Sequence, residues 1–386
     1  MSEEIPLAKP ALGERERELV DEVLRSGRLS LGPMVERFEA DFAAAVGAEH
    51  AVAVSSGTAA LHLGVRGLGW TAGDQVVTSP FSFVASANCL LFEDVEPVFC
   101  DVDPVTLDID PAAAEAAIGE RTVGLLPIDI LGYPAALPEL IRIAADQGLG
   151  LLEDACEALG AVDSAGTPIG SHGHPATFGF YANKQLTTAE GGMLTTADAE
   201  LAARLRSERN QGRAPDMGWV DHERLGFNYR LSDVQAAIGV AQLERLDRML
   251  ADRARAAAMY DERLAALDYG ARAGEGDPEG LVLPCADRGA ERRSWFIYPV
   301  RLPAGADRDA VVADLSQRGI GAKAYMPSIH LVPHLRERFG FRAGQFPVAE
   351  DASARLLALP FFPGIASDQI DRTCEALAEA LLGDWS

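Results

Sequence analysis

The chain reads as an α/β protein: a large domain built on a mostly parallel α/β/α sheet, followed by a smaller C-terminal α+β domain. Two observations predict this. Between Ala51 and about Thr196, short continuous apolar runs alternate with stretches of helical periodicity. Strands covered on both faces by helices have that uninterrupted apolar character. After Gly270–Glu279 the order changes to one strand pattern and then several helical ones, as expected for a separate, smaller layer arrangement.

In order, the strand runs are AVAVSS, ahead of a helix from Thr58, then QVVTSP, VEPVFCDVD, TVGLLPIDI, LGLLEDA, ATFGFYAN and GGMLTT. Ser232–Leu267 is rich in Ala, Leu, Arg and Glu and opens on Ser-Asp, an N-cap pair, so one or two long helices are expected there. Gly270–Glu279, GARAGEGDPE, reads as a loop near a domain boundary. SWFIYPVRL follows as a strand, and helices are expected over Arg308–Gly319, Ala349–Leu359 and Ser367–Leu382. The expected division is residues 1–250 for the large domain with its N-terminal segment and 251–386 for the small one.

With 386 residues, 48% of them apolar, the chain can fill more than one core. Its formal charge of −24 argues against a broad nucleic-acid surface, which needs clustered Lys and Arg. No run reaches the roughly 20 apolar residues of a membrane helix, and Met1–Pro10 lacks a signal-peptide pattern. A cytoplasmic protein is expected. The five cysteines, Cys89, Cys100, Cys156, Cys285 and Cys374, are odd in number and unpaired in spacing, and read as reduced packing residues. No metal-ligating set is read from the sequence. Of the 34 basic residues only Lys9, Lys184 and Lys323 are lysine, so chemistry that needs an amine has three candidates.

Three segments carry possible chemistry. In Ser55-Ser56-Gly57-Thr58 a strand gives way to a helix, whose free N–H groups and positive dipole end suit a phosphate; ordinary capping is the competing reading. Leu151-Leu152-Glu153-Asp154 puts carboxylates at the end of an apolar strand, the edge where α/β sheets bind ligands. There Asp154 suits a protonated heterocyclic nitrogen, or simply a helix cap. Lys184 follows the run FGFYAN and precedes a Thr- and Gly-rich turn, where partial desolvation would make its amine nucleophilic; a solvated surface lysine is the alternative. Together they meet the needs of pyridoxal 5′-phosphate, with Phe83 available to stack on its ring or to fill core.

These segments, with LRSGRLSLGPMVERFEADFA, SPFSFVASANCLLF, EDACEALGA, NKQLTTAEGGML, LGFNYRLSDVQAAIGVAQLERLD, YMPSIH and FPVAEDASARLLALPFFPG, resemble the sugar aminotransferases of the DegT/DnrJ/EryC1/StrS family from Pro6 to about Gly364. The resemblance implies fold type I and pyridoxal phosphate. It implies that Lys184 forms the internal aldimine, Asp154 meets the pyridine nitrogen, Phe83 stacks, and Glu157 lies near the ring hydroxyl. Gly57 and Thr58 would hold the phosphate, and Asn228 would reach the phosphate of a partner subunit in a homodimer with shared sites. Arg28, Arg230, Tyr325 and His330 are the implied substrate contacts. One departure is Gly179, where many relatives carry a phosphate-binding serine. LTTAEGG and Glu157 look most similar to a perosamine-synthase-like branch. The implied reaction is ping-pong transfer, through the pyridoxamine form, from L-glutamate to a nucleotide-linked keto-6-deoxy sugar at C4. Transfer at C3 and a non-catalytic cofactor-binding regulator are the alternatives; a related sugar dehydratase has histidine where this chain keeps Lys184.

Overall fold

The computed structural model describes residues 4–134, 136–214, 221–267, 270–277 and 279–383. Helices α1 (Glu14–Ser26) and α2 (Pro33–Val46) precede the sheet. Then follow β1 (His50–Val54), α3 (Gly57–Gly67), β2 (Gln75–Thr78), α4 (Ala85–Leu91), β3 (Glu96–Phe99), α5 (Pro111–Ala116), β4 (Thr122–Leu126), α6 (Leu137–Gln147), β5 (Gly150–Leu151), β6 (Glu153–Asp154), β7 (Ala176–Gly179), β8 (Gly192–Thr196) and α7 (Ala199–Glu208). Helices α8 (Asp233–Leu243) and α9 (Leu246–Ala265) lead into the C-terminal part. It contains β9 (Gly270–Arg272), β10 (Leu281–Leu283), β11 (Tyr298–Arg301), α10 (Arg308–Gln317), β12 (Lys323–Ala324), α11 (Pro333–Phe339), α12 (Pro347–Arg355), β13 (Leu356–Leu359) and α13 (Ser367–Gly383). No described helix is long and apolar enough to cross a membrane.

Strands β3, β2, β4 and β5 pair in parallel in that order, and β6, β7, β8 and β1 form a second run in which β8 is antiparallel to both neighbours. Leu152 alone separates β5 from β6. Its N–H reaches Leu125 O at 3.0 Å, and the Asp154 N–H reaches Pro127 O at 2.9 Å, so the two runs continue as one sheet. Strands β6 and β7 therefore end next to one another at Asp154 and Gly179, and β1 ends at the same edge at Val54, across Gly192 of β8.

Alternation along β1 distributes its side chains to two cores. Val52 and Val54 pack with Ala59, Ala60 and Leu63 of α3, while Ala51 and Ala53 join a cluster containing Phe38 and Phe42 of α2. Phe42 meets Phe178 and Phe180 edge to face, at 5.1 and 5.5 Å between centroids. The first turn of α2 is capped from a distance: the buried Asp233 carboxylate accepts from the Gly32 N–H at 2.8 Å and the Met34 N–H at 2.9 Å. A Cβ at residue 32 would lie 2.7 Å from Asp233 Oδ1, which accounts for glycine there.

The C-terminal sheet runs β12-β13-β11-β10-β9. Helix α9 changes core along its length, with Leu246 and Met249 in the large cluster and Ala256, Tyr260 and Leu264 in the small one. We keep the division at about residue 250 as a proposal that this hand-over supports. Ile5 packs in the small-domain core, held by Ile5 N–H to Gly319 O at 2.9 Å and Gly321 N–H to Ile5 O at 2.8 Å, so the N-terminal segment crosses to the small domain. Two segments differ from expectation. Gly270–Arg272 is a strand rather than loop, because pairing with β10 satisfies its backbone despite the small residues. The helix expected to Leu359 ends at Arg355, and LLAL becomes a strand between β11 and β12; a short apolar run fits either state until its partners are known.

Phe42→Ala is expected to lower the unfolding free energy by about 3–5 kcal/mol in urea unfolding followed by tryptophan fluorescence. Leu12→Ala, at an exposed position, is expected to change it by less than about 0.5 kcal/mol. Equal effects would contradict this packing account.

Candidate active site

Beyond the ends of β1, β6 and β7 lies a cavity of about 510 Å³. Helix α3 starts at its wall. Ser56 caps the helix by accepting from the Ala59 N–H at 3.1 Å, while the first-turn N–H groups of Gly57 and Thr58 have no partner within a helix and sit at its positive end. A Cβ on Gly57 would lie 3.3 Å from Gly179 Cα and 3.1 Å from Cys156 Sγ, so the helix start approaches β7 this closely because residue 57 lacks a side chain. Residue 179 brings no hydroxyl to the wall, and Cys156 Sγ lies 3.4 Å from where its Cβ would stand.

Asp154 is buried at the cavity floor. Its Oδ2 accepts from Ser86 Oγ at 2.7 Å, its Oδ1 from the Cys156 N–H at 3.2 Å, and Ser86 is 2.8 Å from Ser82 Oγ. Among the described residues it makes no ion pair. Burial, and after it the Asp154 charge, push the nearby Cys89 thiol well above its usual range, so that thiol stays protonated. A carboxylate held by neutral donors in a buried wall stabilises a cation placed against it.

Lys184 sits one turn beyond β7, its N–H bonded to Tyr181 O at 3.0 Å. Its side chain is 15% exposed; Nζ is 3.4 Å from Glu157 Oε1 and 4.0 Å from the centroid of Phe296. Glu157 is itself fixed: Tyr325 donates to Oε1 at 2.7 Å and the Leu131 N–H to Oε2 at 3.0 Å. Burial, then the Glu157 charge, push the Tyr325 hydroxyl far above its ordinary range, so it remains a donor. From below, the buried Arg253 donates to Lys184 O at 3.2 Å and to Phe296 O at 2.9 Å, tying the lysine turn to the segment just before β11 that carries Phe296. Burial lowers that guanidinium to about 10.

The structure thus gathers Gly57, Thr58, Phe83, Asp154, Glu157, Lys184 and Tyr325 around one cavity. Phe83 lines it with 61% of its surface exposed, free of the core packing that was its alternative. Lys323 also lines the cavity, on an exposed side chain. Ser86, Phe296 and Arg253 were not singled out from the sequence; the Ser82/Ser86 spacing of four was a local signal for the first, and Lys323 was one of the three lysines named as amine candidates. His330 is not brought to the cavity. It is wholly buried, edge-on to Phe346 at 4.8 Å with Nε2 3.2 Å from Glu350, and burial pushes its imidazole down and keeps it neutral. Arg28, Asn228 and Arg230 also lie outside this chain's cavity. Backbone bridges Ser30–Ser232 and Asn210–Asn228 tie their segments together, beside the exposed Leu29, Leu31 and Leu225, and Arg230 donates to Asn210 at 3.0 Å.

Known proteins share this arrangement of chain. The sequence profile of the DegT/DnrJ/EryC1/StrS aminotransferase family matches residues 10–378. The spore coat polysaccharide biosynthesis protein SpsC of Bacillus subtilis is 36% identical over 98% of this chain and 97% of its own. GDP-perosamine synthase of Caulobacter vibrioides is 35% identical over 98% of each. The crystal structure of DesV from S. venezuelae, in complex with a ketimine intermediate, superposes with a TM-score of 0.88 at 33% identity and 98% coverage of both chains. The chain is therefore a fold type I sugar aminotransferase and belongs to the DegT/DnrJ/EryC1/StrS family.

Proposed function

We propose that this aminotransferase uses pyridoxal 5′-phosphate to move the amino group of L-glutamate to C4 of a nucleotide-linked keto-6-deoxy sugar. The observation that carries the proposal is the convergence of Lys184, Asp154 and the α3 N-terminus on one cavity. The fit to the cofactor is chemical: an amine for an aldehyde, a carboxylate with no ion-pair partner among the described residues for a ring nitrogen, helix first-turn N–H groups for a phosphate, and an exposed aromatic face at Phe83. When bound, the cofactor supplies a reactive aldehyde and an electron-withdrawing ring.

The protein's part is positioning and proton movement. Gly57 and Thr58 bind the phosphate, and Asp154, steadied by Ser86, keeps a positive charge on the ring nitrogen. Glu157, pinned by Tyr325 and Leu131, holds Lys184 Nζ in the cavity. Lys184 takes the proton from the donor α-carbon. Closure by both domains limits water at Nζ, since Phe296 covers it and Tyr325 covers Glu157.

The acceptor and the assembly rest on relatives and on surface character. GDP-perosamine synthase, 35% identical, is named for a nucleotide-linked sugar. Exposed Leu29, Leu31 and Leu225, next to Arg28, Asn228 and Arg230, support a second copy covering this face. Asn228 and one or both arginines then serve the partner's cavity.

Excess L-glutamate added to holoenzyme without sugar should abolish the visible band of the lysine-linked cofactor, and Lys184→Ala should show neither that band nor turnover. A band unmoved by glutamate contradicts the donor, and acceptance of a 3-keto in place of a 4-keto sugar contradicts the position. Tyr325→Phe should cut kcat by about 10- to 100-fold, the worth of a hydrogen bond to a charged group; an unchanged kcat would contradict the role given to Glu157. Mixed dimers of Lys184→Ala and Asn228→Asp chains should regain activity that neither parent has. Failure to regain it would mean that each site is built from one chain.

A further inference from the structure

We propose that Glu153, His172 and His174 form a binding site for one divalent cation of the zinc class, separate from the cofactor cavity. Glu153 precedes Asp154 on β6, and its carboxylate leaves the opposite face of the sheet. His172 and His174 lie on the approach to β7, with Gly173 between them at φ +96°, and their rings stack at 5.5 Å and 16°. One ligand atom from each of the three residues lies within 4.8 Å of the others, and Glu153 Oε2 is 2.7 Å from His174 Nε2. Two nitrogens on a tetrahedral zinc, each bonded at about 2.0 Å, stand about 3.3 Å apart.

An unpartnered nitrogen points to an ion. Glu153 is wholly buried beside the Asp129 carboxyl, which burial and the Glu153 charge push well above the usual carboxylate range; among the described residues the buried Nδ1 of His172 has no hydrogen-bond partner. His172 Nε2 is bonded to Asp163 Oδ2 at 2.8 Å, and the other Asp163 oxygen accepts from the N–H groups of Ala165 and Thr167. When neutral, His172 therefore donates from Nε2 and leaves the Nδ1 lone pair bare, the arrangement in which a carboxylate orients a metal-ligating imidazole. Among the described residues, the buried Glu153 and Asp163 have histidine, rather than Lys or Arg, as their ion-pair partners. A dication offsets this charge. Two imidazoles and a carboxylate favour Zn²⁺, Co²⁺ or Ni²⁺ over Mg²⁺ or Ca²⁺. The histidine side chains are 11% and 14% exposed, which gives the ion a way in and leaves a position for water. The bound ion would fasten the 163–174 loop to β6 directly behind Asp154.

The test uses tag-free holoenzyme stripped with chelator, dialysed, and titrated with Zn²⁺ by calorimetry. A single saturable ion per chain is expected, with binding weakening as the pH is lowered, because protons compete with the ion for the ligand atoms. Co²⁺ should give visible ligand-field bands that Zn²⁺ abolishes. His172→Ala/His174→Ala should weaken Zn²⁺ by at least ~100-fold, and Asp163→Asn by about 10- to 100-fold, with the cofactor spectrum of the histidine variant unchanged as proof of folding. Absence of saturable binding to the parent protein would overturn the site and leave Glu153 and Asp129 to share a proton. Equal binding by the double variant, or Mg²⁺ competing as well as Zn²⁺, would overturn it too.

Discussion

Glu153 and Asp154 are consecutive residues on one short strand, both buried where the two halves of the main sheet join. Burying a carboxylate is costly unless donors or cations surround it. Because neighbouring strand residues leave opposite faces, the fold answers the two charges separately. On one face Ser86 and the Cys156 N–H hold Asp154 with neutral donors and leave its charge available to a bound cation. On the other, His174 takes Glu153, and His172 with Asp163 completes a polar layer. The Asp154 carboxylate is thus held from both sides, and its donors are already in place before any ligand arrives.

The large sheet supplies the strand ends, yet the site is incomplete without the small domain. Tyr325 and Phe296 come from the C-terminal half, and they fix the two ends of the Glu157–Lys184 pair. Arg253 on α9 ties the same region together by binding carbonyls on both sides, including Lys184 and Phe296. Helix α9 also passes from one core to the other. Relative movement of the domains would therefore alter the lysine directly, so the geometry of Nζ depends on the packing between them.

Most of the sheet was legible because each strand is a continuous apolar run, a pattern set by burial on both faces. LLAL and GAR were not: the state of such short runs is decided by distant partners, β11 and β12 in one case and β10 in the other. At the site, Lys184, Asp154 and the Gly57-Thr58 turn were legible because strand-end residues are brought together by topology, whereas Glu157 was reached through resemblance. Tyr325 was reached through resemblance, and the structure brings it to the same cavity. His330, reached the same way, is sealed among Phe341 and Phe346. Ser86, Phe296 and Arg253 carry no motif, and their roles arise from contacts across 68, 112 and 69 positions of sequence respectively. The pairing of Glu153 with His174 is equally non-local in origin, since H-x-H alone specifies no third ligand.

Two lysines line the cavity, and the account stands on which of them carries the cofactor: Lys184 is held by Glu157 and Phe296, whereas Lys323 is exposed. The most direct measurement is borohydride reduction of the holoenzyme followed by peptide mass mapping. The account predicts a phosphopyridoxyl group on the peptide containing Lys184 and none on those containing Lys9 or Lys323. Label on Lys323, or no label on Lys184 in protein saturated with pyridoxal phosphate, would contradict it.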